Sequence, residues 1–301
     1  MSPTTRSLAA LNLTSLRVLL AHIGSPTSGT KPLLIARLQR ALKGAIIPFS
    51  DSRGNLTARV LSIDMGIRNL AYCVADVRVP KGKNKDWSLD VLDWKRVNVL
   101  ADKESNGSGE DDSDSDAYSP ARLSPAAVSL VKDTFLPTKP DIIAIERQRF
   151  RSGGGKGVLE WTLRVNMLEG MLWSAFNSIP SNSVLVGISP ARVARFWVPK
   201  VADGKATVEK KQKVEVARRW LNGHGPKGLS ICIAENVNEV KSMVLKGPIQ
   251  GTGKVDDLAD CLLQVGALVS WEKNRRMILD MDGQDLVEYC TKVSSNINSD
   301  A

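Results

Sequence analysis

Residues 60–74 read VLSIDMGIRNLAYCV. Two apolar runs flank a short GIRN turn, the pattern of paired strands. Asp64 closes the first run, just before Gly66. A carboxylate in a buried strand is costly to desolvate, so the fold must place something beside it that offsets that cost. A third strand, SLDVLDWKRVNV (88–99), follows a KGKNKD turn, and the three make an antiparallel meander. Downstream, SPAAVSLVKDTFL (124–136) reads as a helix and DIIAIE (141–146) as a buried strand. A helix over 158–176, a strand over 183–190, a basic helix over 206–221 and a long helix over 255–273 complete the order. Residues 223–253 give no clear element. This order describes an α/β protein with a mixed sheet flanked by helices.

The chain has 301 residues, enough for one large core and a small extra module. No run of 18 apolar residues suits a membrane-spanning helix. Cys73, Cys232, Cys261 and Cys290 are widely spaced, with no CxxC pair, and are expected as reduced core thiols. The net charge is +9, yet residues 102–116 hold seven acids and one Lys, so the rest of the chain carries +15. Such an excess suits a polyanionic partner. The acidic segment, with no apolar residues, is expected as a disordered insertion at about 102–118.

Residues 1–50 contain no acid and six Lys/Arg. Helical spacing places one helix over 13–24 and another over 28–44, the second with Pro32 in its first turn. Its SGTKxxLIxRL pattern resembles the SAP module, a small helical DNA-binding unit, taken here as residues 1–48. That resemblance implies that Lys31, Arg37 and Arg40 lie near DNA. A basic, acid-free start also suits a mitochondrial targeting segment.

Acids collect in three apolar elements. Asp64 lies in the first strand, Glu146 ends DIIAIE, and Asp256, Asp257 and Asp260 open the last long helix. Asp260 shares a helix face with either member of the doublet. Capping explains Asp at a helix start, but not Asp260, which precedes CLLQVGAL. Carboxylates gathered in one cleft raise one another's pKa values. Their natural counter-charge is a hard divalent cation with oxygen ligands, Mg²⁺ above all, with Mn²⁺ as a substitute. Two such ions about 4 Å apart serve phosphodiester hydrolysis. His22 and His224 are far from these acids in the chain.

SIDMGIRNLAYCV, IAIERQRFRSGG and KVDDLADCLLQ, in that order, resemble the motifs of fungal mitochondrial Holliday junction resolvases, RuvC-like members of the ribonuclease H-like superfamily. SPARVARFW (189–197) and the helix with KKQK (210–213) fit the same likeness. The resemblance implies a ribonuclease H-like core over 56–273 and a polar C-terminal tail over 274–301. It implies Asp64, Glu146 and Asp260 as catalytic metal ligands, with Asp256 or Asp257 as the fourth. RuvC-like spacing favours Asp257, an i,i+4 face Asp256. It also implies a homodimer acting on four-way DNA junctions in the mitochondrial matrix.

Other basic residues suit the same partner. Arg147, Arg149, Arg151 and Lys156, in the loop after Glu146, are expected at phosphates, with Phe150 stacking or wedging at the branch point. Lys210, Lys211 and Lys213 are expected to contact DNA. Trp161, Leu168 and Trp173 read as core or dimer packing. GTGK (251–254) is no phosphate loop, because Pro248 replaces the required glycine and Val255 follows Lys254. No nucleotide cofactor is expected. The acids alone also suit a ribonuclease H-type hybrid nuclease, and an inactive junction-binding architectural protein is the alternative outside enzymes.

Overall fold

The computed structural model describes residues 5–52, 55–81, 86–100, 118–148, 160–198, 210–247 and 255–299. A short strand, β1 (Ser50–Ser52), pairs with the start of β2 (Asn55–Asp64). Strands β2, β3 (Leu70–Val79) and β4 (Trp87–Val97) form the expected antiparallel meander. β5 (Ile142–Glu146) joins β2 in parallel, β6 (Val184–Ile188) joins β5, and β7 (Leu229–Ile233) joins β4, also in parallel. The order is β6-β5-β2-β3-β4-β7, with β1 on β2. The mixed sheet flanked by helices is therefore present. The segment without a clear element holds its β7 edge.

The pleat sends alternate residues to opposite faces. Val60, Cys73, Ile142 and Ala144 face one apolar core, and Leu61, Ile63, Tyr72 and Ile143 face the other. Among the described residues, ten α-helices flank the sheet or extend it: α1 (Thr5–Ala10), α2 (Leu13–His22), α3 (Lys31–Lys43), α4 (Pro120–Ser129), α5 (Glu160–Ser178), α6 (Pro190–Trp197), α7 (Lys210–Leu221), α8 (Asn238–Lys246), α9 (Val255–Asp280) and α10 (Gly283–Ser299). Helices α4 and α5 cover the second face, with a π-helical turn over Leu130–Phe135 where one continuous helix was expected. Helices α6 to α9 cover the first. Tyr118, placed within the insertion by the sequence, is buried in the α4–α5 core. Residues 102–117 lie outside the described residues. Cys73, Cys261 and Cys290 are buried as expected, whereas Cys232 is exposed, because the edge strand β7 turns it outward.

Helix α9 has 26 residues, about 39 Å at the usual rise. Its far end is shared with the N-terminal helices. Leu16, Leu20, Leu34 and Leu38 pack with Ile278 of α9 and with Leu286 and Cys290 of α10. The region read as a polar tail thus carries the last turns of α9 and a further helix, which complete the N-terminal core. Gly24 makes the close approach possible: its φ is +66°, and a Cβ there would lie 2.3 Å from the Trp271 ring. Arg192 of α6 donates to the Gly24 carbonyl. Glu272, fully buried, accepts from Arg275 (2.7 and 2.8 Å), Arg276 (2.8 Å) and the Ile46 backbone N–H (2.9 Å). Arg275 also donates to the Leu42 carbonyl at 2.9 Å. Helix, linker and core are thereby fastened at one buried charged point.

Candidate active site

Asp64 is the last residue of β2 and pairs with Ala71 of β3. The turn that follows is tight: a Cβ at Gly66 would sit 2.8 Å from the Asn69 carbonyl oxygen. Glu146 is the last residue of β5, one position beyond Ile145, which pairs with Ile63. Parallel pairing therefore brings both acids to the same end and the same face of the sheet, beneath α9. The chain leaving Glu146 is held on both sides. Arg147 N–H donates to Ile188 O at 2.8 Å, and Gln148 N–H to Glu169 Oε2 at 2.9 Å. Sequence reasoning missed Glu169, whose partner lies 21 residues away.

Helix α9 starts over this sheet end and supplies Asp256, Asp257 and Asp260. The Trp94 indole, buried in β4, donates to Leu258 O at 3.0 Å and fixes the first turn. Trp197 Nε1 holds Leu263 O at 2.9 Å. Three sequence-distant acids, Asp64, Glu146 and Asp260, thus converge, with Asp257 close enough to act on Asp64.

Burial holds the Asp64 carboxyl well above its usual range, and Glu146, Asp260 and Asp257 push it further. Glu146 is the nearest of these neighbours, acting on Asp64 both through its charge and at hydrogen-bonding range. Burial likewise raises Asp260, which Lys213 partly counters. Two of the three lysines of the KKQK helix reach the acids: Lys213 Nζ pairs with Asp260 Oδ2, and Lys210 Nζ with Asp256 Oδ2. The sequence placed these lysines at DNA; the structure brings them to the carboxylates.

Among the described residues, no group of three or more Asp, Glu, His or Cys side chains is drawn together as a finished metal shell. The donor chemistry nonetheless fits a hard cation. It consists of carboxylate oxygens, those of Asp64 and Asp260 raised by burial and by their neighbours, and partly held by ammonium groups that a divalent ion can replace.

Of the basic residues, Arg147 is exposed beside Glu146. Arg149, Phe150, Arg151 and Lys156 lie outside the described residues. Lys211 is exposed on α7. Lys31 and Arg40 are exposed on α3, but Arg37 donates to the carbonyls of Pro26 and Ser28, both at 2.7 Å, and secures the loop before its own helix. Beside the turn after Asp64, Arg68 and Arg164 lie over the Tyr118 ring at 5.4 and 4.9 Å. Leu168 is buried and Trp173 half-buried, while Trp161 is 44% exposed.

Known proteins resemble this chain over most of its length. Residues 60–278 match the family model described as mitochondrial resolvase Ydc2 / RNA splicing MRS1. The chain is 27% identical over 273 residues to a Schizosaccharomyces pombe protein named cruciform cutting endonuclease 1, mitochondrial, covering 88% of this chain and 94% of that one. A Saccharomyces cerevisiae protein of the same name is 25% identical over 262 residues, covering 74% of this chain and 71% of its own. The crystal structure of the yeast mitochondrial Holliday junction resolvase Ydc2 superposes with a TM-score of 0.60 at 24% identity, covering 94% of this chain and 99% of that chain. That likeness gives the fold, the ribonuclease H-like arrangement expected above.

Proposed function

We propose, on the premise that this chain belongs to the mitochondrial resolvase Ydc2 / RNA splicing MRS1 family, that it is a structure-specific endonuclease resolving four-way DNA junctions in mitochondria. The observation that carries the reading is the convergence of Asp64, Glu146 and Asp260 at one end of the sheet, with Asp257 beside them. An architectural protein has no need of a buried carboxyl pair whose mutual repulsion costs stability.

Asp64, Glu146, Asp257 and Asp260 would hold the divalent cation, Mg²⁺ by preference. Asp257 is the better fourth ligand, since it acts on Asp64 while Asp256 faces Lys210. A bound divalent cation would supply an activated water and charge neutralisation at the leaving 3′-oxygen. The protein's own groups do the rest. Asp64 and Glu146 are fixed by strand pairing, so they meet the scissile phosphate without rearranging the sheet. Lys210 and Lys213 offset the acids until substrate arrives and then turn to its phosphates. Lys31 and Arg40 on α3, with Arg147 at the site's rim, track the DNA backbone away from the cut. A two-fold homodimer matches a two-fold junction and pairs the nicks.

The test is cleavage of a labelled mobile four-way junction beside linear duplex and an RNA–DNA hybrid, with and without Mg²⁺. Paired symmetric nicks in the junction alone support the reading. Cutting of the hybrid alone would assign a ribonuclease.

A further inference from the structure

Gln264 is a polar side chain inside the most apolar stretch of α9, between Leu263 and Val265, and is only 3% exposed. Its Nε2 donates to Ala144 O at 2.9 Å and reaches Ile63 O at 3.5 Å. Ile63 immediately precedes Asp64, and Ala144 lies two residues before Glu146. On the helix, Gln264 stands one turn after Asp260 and two turns after Asp257, all on one face. One amide of α9 therefore touches both strands that carry the acids.

Packing alone does not require this residue. A leucine or methionine would fill the space without burying an amide. What an apolar side chain cannot do is read the position of two backbone carbonyls. Apolar contact is non-directional and tolerates a helix that slides or rotates slightly, whereas a hydrogen bond fixes distance and angle. We infer that Gln264 is a positioning residue, which locks the rotation and register of α9 over β2 and β5 so that Asp257 and Asp260 meet Asp64 and Glu146. This rests on the active-site assignment above. A displacement of the order of 1 Å at such a site costs about 100-fold in rate.

The test compares wild type with Gln264→Met, close in size but without a donor, and Gln264→Ala. Single-turnover junction cleavage, junction affinity without divalent ions, Mn²⁺ binding to the DNA-free protein by electron paramagnetic resonance, and thermal stability are measured together. The expected result for Gln264→Met is a fall of about 10- to 100-fold in cleavage and weaker Mn²⁺ binding. Junction affinity stays within about twofold and the protein stays folded, because only the acids' geometry has changed. Gln264→Ala slows cleavage no more than Gln264→Met, although it melts earlier. Wild-type cleavage and Mn²⁺ binding in Gln264→Met would overturn the inference. So would parallel loss of cleavage and junction affinity with unfolding in both variants, which makes Gln264 a core residue only. If wild type cuts no junction, the activity reading fails, and the Mn²⁺ arm still decides the role of Gln264.

Discussion

Lys213 of α7 sets its ammonium on the Oδ2 of Asp260, a carboxylate that burial raises and Lys213 pulls back down. The two residues are 47 apart in the chain. The pairing makes the lysine a counter-charge within the acid cluster.

Removing Lys213 leaves Asp260 with less compensation. Lys213→Met is expected to destabilise the metal-free protein by about 1–3 kcal/mol, the cost of losing a charged hydrogen bond at a largely buried pair. Added Mg²⁺ or Mn²⁺ is expected to restore more stability to this variant than to wild type. Thermal melts with EDTA or with divalent ion read both effects. An equal metal-induced shift in the two proteins would contradict the counter-charge role.

Glu272 ties the long helix to the N-terminal region. Although burial alone would raise its pKa, Arg275, Arg276 and the Ile46 N–H hold the carboxyl below its usual value. A carboxyl depressed in the folded state contributes stability above its unfolded pKa, near 4.5, and that contribution disappears as pH falls through the lower folded value. Glu272→Gln is expected to lose about 3–5 kcal/mol at neutral pH, because Arg275 is left buried beside a neutral partner. The gap to wild type should narrow below pH 4.5. Urea unfolding across pH 3 to 7 measures it.

The three basic residues of the SAP-like pattern separate into two kinds. Lys31→Glu and Arg40→Glu are expected to weaken junction binding and to flatten its salt dependence by about one unit of slope per lost phosphate contact, with melting unchanged. Arg37→Ala is expected to lower stability, since the carbonyls of Pro26 and Ser28 lose their donor. Binding titrations at several salt concentrations, beside melts, distinguish them.

The N-terminal helices are not a detachable module. Their core includes Ile278 and Leu286, so a chain beginning at residue 49 is expected to expose the Trp271 and Ile278 surface and to aggregate or unfold. Truncation at residue 282 is expected to do similar damage from the other side. Size-exclusion chromatography and circular dichroism check both. A folded, monodisperse core after either truncation would contradict the shared packing.

The gathering of the acids is legible in the sequence. A lone acid at the end of the apolar run VLSID, another ending DIIAIE, and acids opening an otherwise apolar helix are anomalies that burial makes costly. Anomalies of that kind survive in a linear reading. The meander is legible for a related reason, since its long apolar runs are separated by short turns, GIRN and KGKNKD, that mark hairpins. β7 was not, because LSICI is short and lies on an edge with only Leu229 buried. Helix α10 read as a polar tail because its few buried residues, Leu286 and Cys290, have meaning only against Leu16 and its neighbours. The lysine–carboxylate pairs and the Gln264 amide were invisible for a third reason. Each joins residues tens to hundreds apart, and no local pattern encodes which side chain a lysine or an amide will meet.

The most direct test of the central claim is Asp64→Asn, assayed on the same preparation for junction binding without divalent ions and for junction cleavage with Mg²⁺. The account predicts binding within about twofold of wild type and cleavage reduced by at least about 1,000-fold, because one carboxylate is lost from a site that works only as a set. Cleavage at the wild-type rate would show that the carboxylates gathered under α9 are not the catalytic centre.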